Sequence, residues 1–225
     1  MALSVDYLYK FSLRLIKKNQ AGGLTSLEFN DFWSAEQCAY QDDLAGRFQA
    51  RSNGKSGANT GLIENETILQ KLAPFIQPVT LSISSGLAEK PINFLYRLGM
   101  RIDGYDAHKI NFNQVATVNH SVIDPPSVAE DMYYFTEYLN YYSFLPNTVT
   151  AATLDCMNTP AAVVWGYTFD GDGRQVYNSG ASVQPLWDNN SCREITERML
   201  TKIGVAFKDN DFSNFGRAVT ATGNP

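Results

Sequence analysis

The sequence predicts an α+β fold, with an N-terminal helical hairpin, a β-rich middle and a C-terminal helix. Three observations predict it. Apolar residues recur at helical spacing near both ends of the chain, with Ser/Thr-x-x-Glu boxes ahead of them. Period-two apolar runs fill the middle, and an Asp-Gly-Asp-Gly turn joins two short strand-like runs near 163–177. With 225 residues, 44% hydrophobic and 18% charged, the chain reads as one structural domain over 1–225. Its helical part spans about 5–75 and its mixed β part about 76–225.

Leu8, Phe11 and Leu15 share a helical face, followed by Lys17, Lys18 and the stop Gly22-Gly23, so a first helix is expected over about 5–20. Thr25-Ser26-Leu27-Glu28 is a capping box. It opens a long second helix, about 26–50, carrying Phe29, Phe32, Trp33 and Leu44. The small, polar stretch Arg51–Asn59 reads as an exposed loop. A third helix, about 63–74, ends at Pro74. After Pro78 the residues Val79, Leu81 and Ile83 alternate, and strand-prone segments recur at Phe94–Ile102 and Val115–Val118. Ser127-Val128-Ala129-Glu130 repeats the capping box and predicts a helix through Tyr134, Tyr138 and Tyr141. Val163, Trp165, Tyr167 and Phe169 then lie on one face of a strand, turning through Asp170–Gly173 into Gln175-Val176-Tyr177. Ser191-Cys192-Arg193-Glu194 is read as the cap of a helix over 191–203, with Ile195, Met199, Leu200 and Ile203 inward and Gly204 as its stop. Thr220–Pro225 reads as a loose tail.

A net charge of −5 provides no sequence-wide basic footprint for a phosphate backbone, so no specific or high-affinity binding of DNA is expected. Cys38, Cys156 and Cys192 are odd in number and lack metal-ligand spacing, which predicts three reduced thiols. No run approaches the ~18 apolar residues of a membrane span, and the N-terminus lacks a basic run followed by an apolar stretch. We therefore expect a soluble protein made in the cytoplasm, without direct membrane insertion. The sequons at Asn65 and Asn189 carry no meaning in that setting. Aromatic residues make up 12%, which with the low charge favours surface buried against partners.

Lys17–Glu28 imitates a calcium loop through Gly22, Leu24 and Glu28. Lys17 at the leading ligand position and Ala21 at the fifth remove two of the oxygens a hard cation requires. Gly54-Lys55-Ser56 echoes the end of a phosphate-binding loop, but Gln49 replaces its first glycine and the preceding segment is helical. Asp170-Gly171-Asp172-Gly173 has Arg174 at the next ligand position and Ala181 at the twelfth, so a hairpin is preferred to an oxygen cage. His108 and His120 lack zinc-site spacing and a nucleophile to activate. No catalytic, cofactor-binding or metal-binding residue is expected. Trp33, Trp165 and Trp187 suit either core packing or interface anchors.

Two stretches together resemble the ring proteins stacked between portal and tail in crAss-like bacteriophages and related phage genomes of Bacteroidetes. Tyr7–Lys10 through Asn19-Gln20-Ala21-Gly22 and Leu27-Glu28-Phe29-Asn30 is similar to the helix, N-Q-x-G turn and F-N pattern that opens those chains. Pro160, Trp165-Gly166-Tyr167, Gly173-Arg174-Gln175-Val176-Tyr177 and Ser182 through Trp187 follow the family's order of motifs, as do Glu194-Ile195, Gly204-Val205 and Lys208-Asp209 leading to Phe215. The two stretches cover about half the chain, and order and spacing carry the likeness. Gln184-Pro185-Leu186 departs from it, since an acidic residue is commoner before that tryptophan, which leaves open which ring is formed.

The resemblance implies N-terminal helices, a β-rich middle, a C-terminal helix and a virion structural role. The chain would form a dodecameric ring with copies of itself between portal and tail, touching the portal and other ring or tail proteins and surrounding the DNA exit channel. It implies no enzyme activity. The alternatives are a virion-associated binding or cargo protein and, more remotely, a small hydrolase.

Overall fold

The computed structural model describes residues 3–18, 23–52, 60–121 and 124–206. The α+β class holds, with N-terminal helices, a β-rich middle and a C-terminal helix. The chain divides into two compact units, 75–159 and a second built from both flanks, 1–74 with 160–225. The helical part and the β part are thus not consecutive halves. After Thr159 the chain returns to the helices, because the polar side chains of the second helix hold it there.

The flank unit contains α1 (Val5–Lys18), α2 (Ser26–Ser52), α3 (Thr60–Leu72) and, after residue 160, a final helix. In α1 the inward face is Val5, Leu8, Tyr9, Ser12 and Ile16, at three- and four-residue spacing. Buried Ser12 satisfies its hydroxyl by donating to the Leu8 carbonyl at 2.9 Å. The capping box opening α2 forms as read: Thr25 N–H donates to Glu28 Oε2 at 2.8 Å and Glu28 N–H to Thr25 Oγ1 at 3.2 Å. Helix α2 is not simply amphipathic, because it buries polar groups for a purpose. Asn30, Ser34 and Gln37 line one face at i, i+4 and i+7. Trp165 N–H donates to Asn30 Oδ1 at 2.7 Å, Val163 N–H to Ser34 Oγ at 3.1 Å, and Gln37 Nε2 to the Ala161 carbonyl at 2.8 Å. These bonds satisfy backbone that has no strand partner of its own on that side.

The 75–159 unit holds β1 (Ile76–Ser82), β2 (Leu87–Glu89), β3 (Phe94–Ile102), β4 (Tyr105–Asp106), β5 (His108–Lys109), α4 (Val115–Asn119), β6 (Tyr134–Glu137), β7 (Tyr141–Leu145) and β8 (Ala151–Asn158). They form two four-stranded sheets, ordered β1-β8-β3-β4 and β2-β7-β6-β5, antiparallel except for β5 beside β6. Both sheets contribute to one apolar core, with Leu81, Met100, Ile102 and Leu154 from the first and Phe135, Tyr142 and Phe144 from the second.

Two expectations are corrected here. Val115–Val118 is helical, because Asn111 and Gln114 form a reciprocal cap just ahead of it, Asn111 N–H donating to Gln114 Oε1 at 3.0 Å. Tyr134–Tyr141 is no helix but the β6–β7 hairpin, in register Phe135 opposite Phe144 and Glu137 opposite Tyr142. Ser127 pairs with Met132 in a turn instead of capping, and Asp131 at φ +56° sits in the left-handed region that a right-handed helix excludes.

The last elements, β9 (Tyr167–Phe169), β10 (Gln175–Tyr177) and α5 (Asn189–Ala206), complete the flank unit. The expected hairpin is present, although β9 is shorter than 163–169, because Val164 bridges Val183 and the segment before it is held by α2. The α5 cap is Asp188 rather than Ser191. Its Oδ1 accepts from Asn190 N–H at 2.8 Å and Ser191 N–H at 2.9 Å, and its Oδ2 from the Ser191 hydroxyl at 2.9 Å. The loop at 53–59 and the tail at 207–225 lie outside the described residues.

Candidate assembly surface

The β9–β10 ribbon is built from the flank unit's core outward. Trp165 is buried, and its indole N–H donates to Asp6 Oδ1 in α1 at 3.1 Å. From it the rings run in a ladder: Trp165 to Tyr167 at 5.9 Å, Tyr167 to Phe169 at 5.4 Å, and Trp165 to Tyr177 on the paired strand at 6.0 Å. Alternation along the strand puts Trp165, Tyr167 and Phe169 on one face, so the ladder passes from a buried ring to Phe169, which is 66% exposed. Val176, Val183 and Leu186 are exposed apolar residues of the same stretch.

The turn is fixed by Asp170, whose Oδ1 accepts from Asp172 N–H at 3.0 Å and Arg174 N–H at 2.8 Å, with Gly173 at φ +75°. One carboxylate oxygen of the supposed cage is thus occupied by the hairpin's own amides. At the ribbon's base a Cβ on Gly166 would fall on the backbone carbonyl group of Ala181. Gly166 N–H donates to Ser182 Oγ, and the Gly166 carbonyl accepts from Asn178 N–H, both at 2.9 Å. Gln184 ties the ribbon to α1, accepting from Val5 N–H at 2.8 Å and donating to Tyr177 Oη at 2.9 Å.

The tryptophans resolve toward the core. Trp33, Trp165 and Trp187 are all buried, and the indoles of Trp33 and Trp187 donate to Thr196 Oγ1 at 3.2 Å and Gln37 Oε1 at 3.4 Å. The most exposed aromatic of the motif is Phe169, beyond the partly covered Tyr167, and no tryptophan signal marks it. The alternation Trp165-x-Tyr167-x-Phe169, running into a polar turn, is the signal that locates it.

The 75–159 unit carries a second surface. The Ser85-Gly86 turn sends the chain from β1 into β2, and these two strands are the outermost of their sheets. Between them lies an open groove of about 1190 Å³, lined among others by Leu81, Leu87, Ile92, Phe94, Leu139 and Tyr141. Its rim is apolar and wet: Ile92 is fully exposed and Leu139 is 88% exposed. Ile83 N–H donates to the Thr150 carbonyl, so antiparallel alternation turns the backbone of Pro78, Thr80 and Ser82 away from β8 along the free edge.

Beside the groove, Glu137 in β6 meets three cations from other elements: Lys90 at 3.0 Å, Lys109 at 2.8 Å and Arg97 at 3.6 Å. Burial pushes the Glu137 carboxyl up, but hydrogen bonds from Lys109 and Lys90 outweigh it and hold it below its ordinary value. Lys90 also lies over the rings of Phe94 at 4.9 Å and Tyr142 at 5.1 Å, and the Arg97 guanidinium lies over Phe135 at 4.8 Å. One carboxylate against three cations leaves two positive charges in excess.

The remaining candidates are scattered. His108 is in β5 and His120 follows α4, both exposed. Cys38, Cys156 and Cys192 are free thiols, and burial, with Asp188 nearby, pushes the Cys192 thiol up to about 12. Glu28 of the supposed calcium loop spends its carboxylate on the α2 cap, while residues 19–22 of that loop and Gly54-Lys55-Ser56 lie outside the described residues. Among the described residues no group of three His, Cys, Asp or Glu is placed to hold a metal ion, and no helix is long and apolar enough to cross a membrane. No protein-family model matches the chain, and no curated protein matches it.

Proposed function

We propose that this chain is a virion structural subunit that joins copies of itself in an oligomeric ring between portal and tail, enclosing part of the DNA exit channel. The observation that carries the reading is the aromatic ladder. Trp165, Gly166, Tyr167, Gly173, Val176 and Tyr177, six of the residues among the two stretches that resemble phage ring proteins, belong to one ribbon with a buried base and an exposed apolar end. A rigid aromatic ribbon is worth exposing where another protein surface covers it. A closed ring needs two different surfaces per copy, one meeting the other on the next subunit, and the ribbon and the groove supply two.

Counting this chain against the portal in purified virions, by quantitative mass spectrometry, tests the reading. Equal copy numbers support it, and a number unrelated to the portal's rejects it. The groove also favours a second reading, a virion-associated binding or cargo protein. An image of the particle neck separates the two, since a cargo protein would contribute no ring there.

A further inference from the structure

We propose that the groove between β1 and β2 receives the β9–β10 ribbon of a second copy of this chain, making a head-to-tail contact. The inference rests on the self-assembly reading above and names the two faces that meet. Three features match. The groove offers apolar Leu81, Leu87, Ile92 and Leu139 among polar neighbours such as Thr80 and Asn140, and the ribbon offers Tyr167, Phe169 and Val176. The groove adjoins the Lys90, Arg97 and Lys109 cluster, where Glu137 leaves two positive charges unmatched, and the ribbon's turn carries Asp170 and Asp172. Arg174, the one cation of that turn, lies 4.0 Å from Asp172 within its own turn, both exposed. Glu89 on the groove's β2 wall offers it a second carboxylate in the contact, leaving Asp172 for the cluster.

The third match is in the backbone. The outer edge of β1 presents Thr80 and Ser82, and the ribbon is a two-stranded sheet with no third strand among the described residues. An entering strand therefore finds main-chain donors and acceptors on the β1 wall, the mode by which extended segments add to a sheet edge. Pro78 lacks the N–H that would extend this pairing toward Ile76, which confines it to the end of β1 lining the groove. Ribbon and groove are different surfaces, so the contact leaves a free face at each end of a joined pair, and a ring forms where the rotation between copies closes.

The test places the photo-crosslinker p-benzoyl-phenylalanine at position 169 of the full chain. This is mixed with ¹⁵N-labelled chain at millimolar concentration, illuminated, and the joined peptides are sequenced by mass spectrometry. We expect crosslinks between differently labelled copies that join residue 169 to 91–94 or 139–141. Leu139→Asp, a substitution at an exposed position, should lower their yield about tenfold while leaving the far-ultraviolet circular dichroism unchanged. Crosslinks confined to one copy, landing outside 75–159, or insensitive to Leu139→Asp overturn the proposal. So does a reciprocal probe at Leu139 that captures residues 207–225 or a different protein in place of the ribbon. Failure of these crosslinks with a copy number equal to the portal's removes this contact alone, whereas an unrelated copy number removes the ring reading itself.

Discussion

Gly166 shows how much of the ribbon depends on a missing atom. The chain crosses Ala181 so closely that any Cβ at 166 meets backbone, which cannot swing aside as a side chain would. Gly166→Ala should therefore destabilise the protein by about 1–3 kcal/mol, the usual cost of overpacking a tight contact. Gly171, in the turn, has open space where its Cβ would stand, so Gly171→Ala is the control and should change little. Thermal unfolding of both variants checks this, and equal losses would reject the close-approach account. The same lesson applies to Asp188. A single carboxylate that satisfies two helix amides and a serine hydroxyl caps α5, and the Ser191-x-x-Glu194 pattern three residues later is no guide to it.

Between elements, Glu137 of the 75–159 unit meets Lys90, Lys109 and Arg97, which ties β6 to the residue after β2, to β5 and to β3. Glu137 titrates below its ordinary value of 4.5 in the folded state. A carboxyl with a depressed folded pKa contributes stability above its unfolded pKa and loses that contribution as pH falls through the folded value. Glu137→Gln should cost about 1–3 kcal/mol at pH 7, where it removes a charge-assisted acceptor and leaves three cations facing each other. The gap between wild type and variant should close as pH falls from the ordinary value of 4.5 through the lower folded one. Urea unfolding at stepped pH checks this, and a gap independent of pH would show the loss to be one of packing alone. In the flank unit the comparable junction is Tyr40, which donates to Glu194 at 2.9 Å and accepts from Lys71 at 3.0 Å, joining α2, α5 and α3.

For the whole molecule, the proposed ring imposes a condition on charge. DNA sliding through a channel is slowed by each lysine or arginine that binds a phosphate, and the cost of release grows with every such pair. The lumen face should therefore be neutral or acidic, which a net charge of −5 permits. The Lys90, Arg97 and Lys109 cluster is then expected at a subunit contact and away from the lumen. A structure of the assembled ring checks both statements. A continuous lumenal band of lysines and arginines would replace the slippery channel with a DNA-gripping role.

Read alone, the sequence determined the features that local chemistry decides. The Thr25–Glu28 box, the long helix behind it, the hairpin turn at Asp170–Gly173 and the C-terminal helix each depend on groups within a few residues of one another, whereas the Phe94–Ile102 strand, legible from its residue types, takes its hydrogen bonds from β8. Tertiary structure decided what local chemistry leaves balanced. Tyr134, Tyr138 and Tyr141 suit a helix by spacing and a strand by propensity, and pairing with Tyr141–Leu145 over a shared apolar core selected the strand. The polar face Asn30, Ser34 and Gln37 has no meaning until residues 161–165, more than 120 positions away, arrive to use it. The same long-range return buried all three tryptophans and left Phe169 exposed, while strand pairing inside the 75–159 unit set a groove between two sheet edges, because burial and edge exposure belong to the packed chain and to no residue in isolation.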